Sequence, residues 1–121
     1  MTQLQQLRAA RVVGIPLPDT FKIIDANQIT AGTPEVVWTP ASGKTIRLLG
    51  WYLSTNIQST IEFQDSATAG TVIAQTPELA ALGVHDANLG RGIKLAAANN
   101  TLKLDVVANT AVSGMVFGVE E

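Results

Sequence analysis

Hydrophobic and polar residues alternate along most of the chain from Thr20 onward, with the period of two that indicates strands buried on one face. Within "STIEFQD", for example, Ile61 and Phe63 fall on one side, whereas Glu62 and Gln64 fall on the other. Turns that contain Gly, Pro or Asn separate the runs. The candidate strands are "FKIIDANQI", "EVVWTP", "KTIRLLGWYLST", "STIEFQD", "TVIAQ", "IKLAAA", "TLKLDVV" and "VSGMVFGVE". Short strands without alternating helices predict an all-β fold, an antiparallel sandwich or barrel.

The last three of these runs predict a three-stranded antiparallel meander, because short turns separate them. Asn99-Asn100 suits a two-residue hairpin between the first two runs, since asparagine tolerates positive φ better than most residues.

One segment, "TPELAALG", departs from the β pattern. Thr76 can cap a helix, Pro77 suits its first position, and Gly83 can end it. Glu78 suits the positive end of the helix dipole. We therefore predict one short helix inside a long connection that continues through "VHDANLGRG".

The first 18 residues, "MTQLQQLRAARVVGIPLP", carry Arg8 and Arg11 as their only charged side chains. A helix this short is marginal in water, and each proline favours an extended predecessor. We predict an N-terminal arm, residues 1–18, that orders on a partner, followed by a β-sandwich domain, residues 19–121. A frayed terminus without function is the alternative.

The longest candidate strand has apolar residues on both faces. One parity carries Ile46, Leu48 and Tyr52, and the other carries Leu49, Trp51 and Leu53. A bulge at Gly50 would change the parity and place Leu48 and Trp51 on one side. Alternatively, the arm or another copy of the protein covers the second face. We favour contact in an oligomer, with the bulge as the close second.

Composition argues against several functional classes. The chain has 8 Lys and Arg residues against 10 Asp and Glu, for a net charge of -2, which does not suit a nucleic-acid-binding protein. No apolar run approaches the roughly 20 residues of a membrane span, and no signal peptide is recognisable. The sequence has no cysteine and one histidine, His85, which we interpret as a loop residue. Neither a catalytic triad nor a zinc site follows, so we predict a non-enzyme without metal or cofactor.

The two tryptophans leave a choice open. Trp38 and Trp51 either fill the core or lie exposed, where aromatic side chains often anchor partners or sugars.

Three stretches resemble a class of small bacteriophage virion proteins. They are "WTPASGKTIRLLGWYLST", "TIEFQDS" and "GIKLAAANNTLKLDVVANTAVSGMVFGVE", and the resemblance covers residues 36–119. The shared features are a "TPASGK-I-LLG" opening, a "TIEF" strand and a close of the form "L-L-L" followed by "AVSG-V-G-V". Proteins of this class are compact β-sandwiches, and several are capsid decoration, or cement, proteins.

The resemblance implies an antiparallel, jelly-roll-like β-sandwich that binds the outer capsid surface and stabilises the shell. The expected partners are the major capsid protein and further copies of the chain in a homotrimer, and the expected location is the virion. A receptor- or carbohydrate-binding module of a head or tail fibre, or a tail or neck component, is the alternative. The candidate interface residues are Arg8, Arg11, Val12, Val13, Ile15, Leu17, Leu49, Trp51 and Leu53.

Overall fold

The computed structural model describes residues 20–66 and 71–121, which form two four-stranded antiparallel sheets. The strands are β1 (Thr20–Ile29), β2 (Glu35–Trp38), β3 (Ile46–Thr55), β4 (Ile61–Asp65), β5 (Val72–Gln75), β6 (Val84–Lys94), β7 (Leu102–Val106) and β8 (Thr110–Glu120). The long sheet has the order β1-β8-β3-β6, and the short sheet has the order β2-β7-β4-β5. The predicted all-β antiparallel sandwich is confirmed.

The strand order is that of a jelly roll. Hydrogen-bonded neighbours include β1 with β8, β2 with β7, β3 with β6, and β4 with β5. The chain is thus one long antiparallel hairpin folded over on itself, with further pairs β3–β8 and β4–β7 completing the sheets. This winding, in which consecutive strands mostly change sheet, confirms the jelly-roll expectation.

The predicted meander at the end of the chain is wrong. Strand β7 lies in the short sheet, whereas β6 and β8 lie on either side of β3 in the long sheet. Asn99 does have a positive φ of 70°, as its residue type suggested. Its backbone and side chain instead bind the β2–β3 loop: Asn99 N donates to Lys44 O, and Gly43 N donates to Asn99 Oδ1. The turn at Asn99 therefore belongs to the connection by which the chain passes from β6 in the long sheet to β7 in the short sheet.

The predicted short helix after β5 does not form. Leu79 is buried and exchanges two backbone hydrogen bonds with Ser59, which requires an extended chain. The Thr76 hydroxyl, which was expected to cap the helix, instead accepts a hydrogen bond from the backbone N–H of Ile61 at the start of β4. A tight turn at residues 80–83 then leads into β6. Tertiary pairing of Leu79 outweighs the local helix signals.

A β-bulge in β3 accounts for its apolar residues of both parities. The register of β3 shifts between Leu48 and Gly50 against both of its neighbours, β6 and β8. The extra residue, Leu49, lets Leu48, Trp51 and Leu53 all enter the core between the sheets. The bulge at Gly50, the second of the alternatives, is therefore found, whereas the favoured explanation, contact of Leu49, Trp51 and Leu53 in an oligomer, is not needed, because the chain's own fold buries all three.

Candidate binding surfaces

Three of the predicted interface residues lie inside the chain's own fold. Trp51 and Leu53 belong to the core, with 3% and 0% of their surface exposed. Leu49 lies outside the core cluster, but it is buried against Gly92 of β6, where an added Cβ would come within 2.6 Å of its Cδ2. These side chains have no free surface for another subunit, so the interface predicted for them is corrected.

The other predicted interface residues belong to the N-terminal arm and lie outside the described residues. They are Arg8, Arg11, Val12, Val13, Ile15 and Leu17. The arm precedes Thr20, where β1 begins at one edge of the long sheet. Their role stays a prediction.

The outer side of the long sheet carries a group of apolar residues that the sequence did not assign to a surface. We call it the apolar face; its members are Phe21, Ile23, Tyr52, Met115 and Phe117. Ile23, Met115 and Tyr52 lie directly opposite one another across three adjacent strands. Ile23 is 78% exposed and Tyr52 is 52% exposed. Contiguous apolar surface of this kind marks interaction sites.

A second row of the apolar face lies over the bulge. Phe21 and Phe117 are paired across β1 and β8, with ring centroids 6.1 Å apart. The Phe117 ring covers Gly50, since a Cβ there would lie 2.6 Å from Phe117 Cζ. The face ends toward β6, where Asp86 is opposite Tyr52. The bulge therefore affects both sides of the sheet. It directs Trp51 into the core, and on the outer side it places Gly50, which has no side chain, under the Phe117 ring.

The outer side of the short sheet carries a polar cleft of about 480 Å³. Glu62 and Gln64 of β4 line it together with Lys103 and Asp105 of β7, and Gly32 of the β1–β2 turn borders it. Gln64 is directly opposite Lys103, and Glu62 is directly opposite Asp105. Sequence alternation placed Glu62 and Gln64 on an outward face, but it did not show that β7 is their neighbour.

Hydrogen bonds fix part of this polar cleft. Asp105 Oδ1 accepts hydrogen bonds from Gly32 N at 3.0 Å and from Val106 N at 2.8 Å. At one end of the cleft, Asp65 accepts hydrogen bonds from Ala96 N and Asn100 Nδ2. Backbone N–H groups of three separate segments thus hold the two aspartates of the cleft in place.

His85 is part of a partly buried pair and does not lie in a loop, which corrects the interpretation from sequence. It lies half-buried on β6, and its Nδ1 accepts a hydrogen bond from Trp51 Nε1 at 3.0 Å. The Trp51 ring also stacks on Phe63, with centroids 4.2 Å apart. Trp38 is buried too, so neither tryptophan is an exposed anchor.

Within residues 20–66 and 71–121, no group of three or more His, Asp or Glu side chains is placed to hold a metal ion. The described segments include no helix with the length and apolar character needed to cross a membrane. No protein-family model, curated protein or solved structure matches the chain. The features of the chain that bear on its function are the jelly roll, the apolar face and the polar cleft.

Proposed function

We propose that the protein is a non-enzymatic structural component of a bacteriophage virion, a decoration protein that binds the outer capsid surface as a homotrimer. The observation that carries the proposal is the apolar face on the long sheet of a jelly roll. Jelly rolls are a recurrent fold of viral capsid domains. Residues 36–119 also resemble small bacteriophage virion proteins, several of which are decoration proteins.

The apolar face is suited to contact between copies of the chain. Interfaces between permanently associated subunits are more apolar than ordinary surface, and aromatic and methionine side chains are enriched in them. Phe21, Tyr52, Met115 and Phe117 are of these types, and Ile23 adds an exposed aliphatic group. Another copy of the chain is therefore the occupant we assign to this face.

The N-terminal arm, which precedes β1 in the sequence, is the part we assign to the capsid. Its apolar residues and its two arginines, Arg8 and Arg11, would contact the major capsid protein. Many weak contacts repeated over a shell add up to large stabilisation through multivalency. In this way the protein would link neighbouring capsid subunits and oppose the outward pressure of packaged DNA.

Co-sedimentation with expanded, DNA-free capsids of the phage that encodes the protein tests the proposal. The wild-type protein should bind to saturation and raise the temperature at which the capsids break apart. A variant lacking residues 1–18 should keep the wild-type melting temperature of the free protein and bind the capsids weakly. Failure of the wild-type protein to bind would overturn the proposal.

A receptor- or carbohydrate-binding module of a fibre is the second candidate, and the polar cleft is the observation that favours it. Jelly rolls also occur among lectins. Against it, Trp38 and Trp51 are both buried, so they offer no exposed ring on which a sugar could stack. Binding of the purified protein to surface glycans of the host, lost when Gln64 is replaced by alanine, would favour this function over capsid decoration.

A further inference from the structure

The polar cleft has more acceptors than donors. Glu62 and Asp105 are directly opposite each other on neighbouring strands, an arrangement of like charges that destabilises a sheet. Lys103 is the cation that lines the cleft, yet it forms no ion pair with a carboxylate in the described parts of the chain. Two carboxylates therefore face the cleft without a cationic partner among the described residues.

One oxygen of Asp105 is available to a ligand. Both hydrogen bonds that Asp105 accepts, from Gly32 N and Val106 N, end on Oδ1. These bonds orient the carboxylate and leave Oδ2 without a donor among the described residues. Glu62 is half-buried and accepts no hydrogen bond from them either. Two charged acceptors are thus held close together on adjacent strands.

Gln64 is an independent indication that a ligand binds here. It lines the cleft with only 4% of its surface exposed, and its amide forms no hydrogen bond with any described residue. Because the side chain is otherwise enclosed and lines the cleft, its amide is placed to hydrogen-bond with a group that enters the cleft. Gln64 lies two residues from Glu62 on the same side of β4, about 7 Å along the strand.

We propose that the polar cleft binds the guanidinium group of an arginine side chain presented by another polypeptide. A guanidinium offers five N–H donors in a planar fork, enough for Glu62, Asp105 Oδ2 and the Gln64 amide oxygen together. Its charge relieves the repulsion between the two carboxylates, and hydrogen bonds between charged groups are about twice as strong as neutral ones. The positive charge of Lys103 repels the guanidinium, but it balances the negative charge of only one of the two carboxylates, Glu62 and Asp105.

The arginine has two possible sources. Arg8 and Arg11 of a second copy carry the right group on an arm that contains no acidic residue within residues 1–18. An arginine of a different protein would use the same chemistry. The cleft itself does not depend on the proposed function, because it lies on the short sheet, whereas the apolar face lies on the long sheet; only the first source uses the arginines that the proposed function assigns to the capsid.

An amide-resolved NMR titration of the full chain with N-acetyl-arginine amide tests the inference. The Gly32 and Val106 backbone amides and the Gln64 side-chain amide should shift, with a dissociation constant in about the millimolar range. N-acetyl-citrulline amide, which has nearly the same shape without the charge, is the matched ligand control and should leave them unchanged. Equal shifts with citrulline, or none with arginine, would overturn the inference.

Two conservative variants locate the binding groups. Glu62→Gln and Asp105→Asn keep the side-chain shape, and the amide oxygen that Asp105→Asn leaves in place could still accept from Gly32 N, so both should fold. Each should weaken arginine binding by at least about fivefold. Glu78→Gln removes an exposed carboxylate elsewhere and should have no effect. Unchanged affinity in both cleft variants, or equal shifts caused by calcium chloride, would contradict a guanidinium site.

The source of the arginine is tested separately with the double variant Arg8→Gln, Arg11→Gln. If another copy supplies the group, this variant should show the amide positions of an empty cleft, and added N-acetyl-arginine amide should bind it more tightly than it binds wild type. If a different protein supplies the group, wild type and the double variant should bind the probe equally. Both of these results require that the cleft binds arginine. A failure of the protein to co-sediment with capsids would count against the proposed function without changing either result.

Discussion

The indole Nε1 of Trp51 lies 3.0 Å from Nδ1 of His85 and donates a hydrogen bond to it. Nδ1 must therefore be unprotonated, which places the proton of the neutral ring on Nε2. His85 belongs to β6 and Trp51 to β3, so the bond joins an edge strand to the core. The single histidine of the chain is thus used to satisfy the polar atom of a tryptophan that is otherwise surrounded by apolar groups.

We expect His85→Ala to lower the free energy of unfolding by about 1–3 kcal/mol, because the buried indole N–H loses its acceptor. Urea denaturation followed by tryptophan fluorescence measures this. Asp86→Ala, next to it on the same strand but exposed, is the control and should stay within about 0.5 kcal/mol of wild type. Equal stability of the two variants would show that the hydrogen bond contributes little.

The bulge gives the second prediction. A Cβ added to Gly50 would lie 2.2 Å from Ala87 O and 2.6 Å from Phe117 Cζ. Phe117 can rotate away, but the backbone of β6 cannot move without losing its pairing with β3. Gly50→Ala should therefore lower the free energy of unfolding by about 1–3 kcal/mol or more.

The control for Gly50→Ala is Ser54→Ala on the same strand, since Ser54 is half-exposed and forms no side-chain hydrogen bond within the described residues. It should change stability by less than about 0.5 kcal/mol. Thermal melts of both variants provide the comparison. A Gly50→Ala protein as stable as wild type would mean that the backbone of β6 near Ala87 can move away from β3 at little cost in free energy.

Sequence reasoning predicted the features that depend on one strand at a time. The two parities of β3 offered a bulge at Gly50 as one explanation, second to contact in an oligomer, and the register shift is found there. Strand β6 was missed because its polar residues and its glycines at positive φ, Gly90 and Gly92, resemble those of a loop. Yet the alternation of His85, Ala87 and Leu89 with polar neighbours was present in the sequence. This alternation, taken as a stronger signal than the polar and glycine-rich composition, predicts β6 as a strand.

The polar cleft could not be predicted in the same way. Glu62, Gln64, Lys103 and Asp105 each occupy an outward position on a short strand, as solvated residues do. They form a cleft only because β4 pairs with β7 in the short sheet. Periodicity assigns a residue to a face, but it does not say which strands are neighbours. The apolar face arises in the same way, from the pairing of β8 with both β1 and β3.

An ion pair at the end of the long sheet gives a pH dependence. Arg47 Nε donates a hydrogen bond to Glu121 Oε1, and Lys94 Nζ lies 3.2 Å from Oε2. The hydrogen bond from Arg47 is the main reason that the pKa of Glu121 is held below its ordinary value. Because the folded protein favours the carboxylate, this contribution is present at neutral pH and is lost as the pH falls through the lowered pKa.

Glu121→Gln should accordingly cost about 0.2–1 kcal/mol at neutral pH, a small amount because both side chains are partly exposed. The difference from wild type should be smaller at acidic pH, below the lowered pKa of Glu121, than at neutral pH, and it should shrink in high salt. Urea titrations at both pH values measure it. Glu78→Gln is the control, because it removes an exposed carboxylate that forms no ion pair with a described residue, and a difference that persists in acid would exclude the charge as the cause.

The apolar face gives the last prediction. If another copy of the chain covers Ile23 and Tyr52, then Ile23→Ser and Tyr52→Ser should each weaken self-association by about tenfold or more, or ~1.4 kcal/mol. Light scattering over a dilution series measures the oligomer. The melting temperature should fall with dilution for wild type, because dissociation couples to unfolding.

Val107→Ser is the control, since Val107 is also exposed but lies in the turn between β7 and β8. A wild-type protein that stays monomeric at micromolar concentration would remove the assignment of this face to a second copy. Equal weakening by Val107→Ser would instead show that the loss reflects general surface hydrophobicity and not the row of residues that crosses β1, β8 and β3.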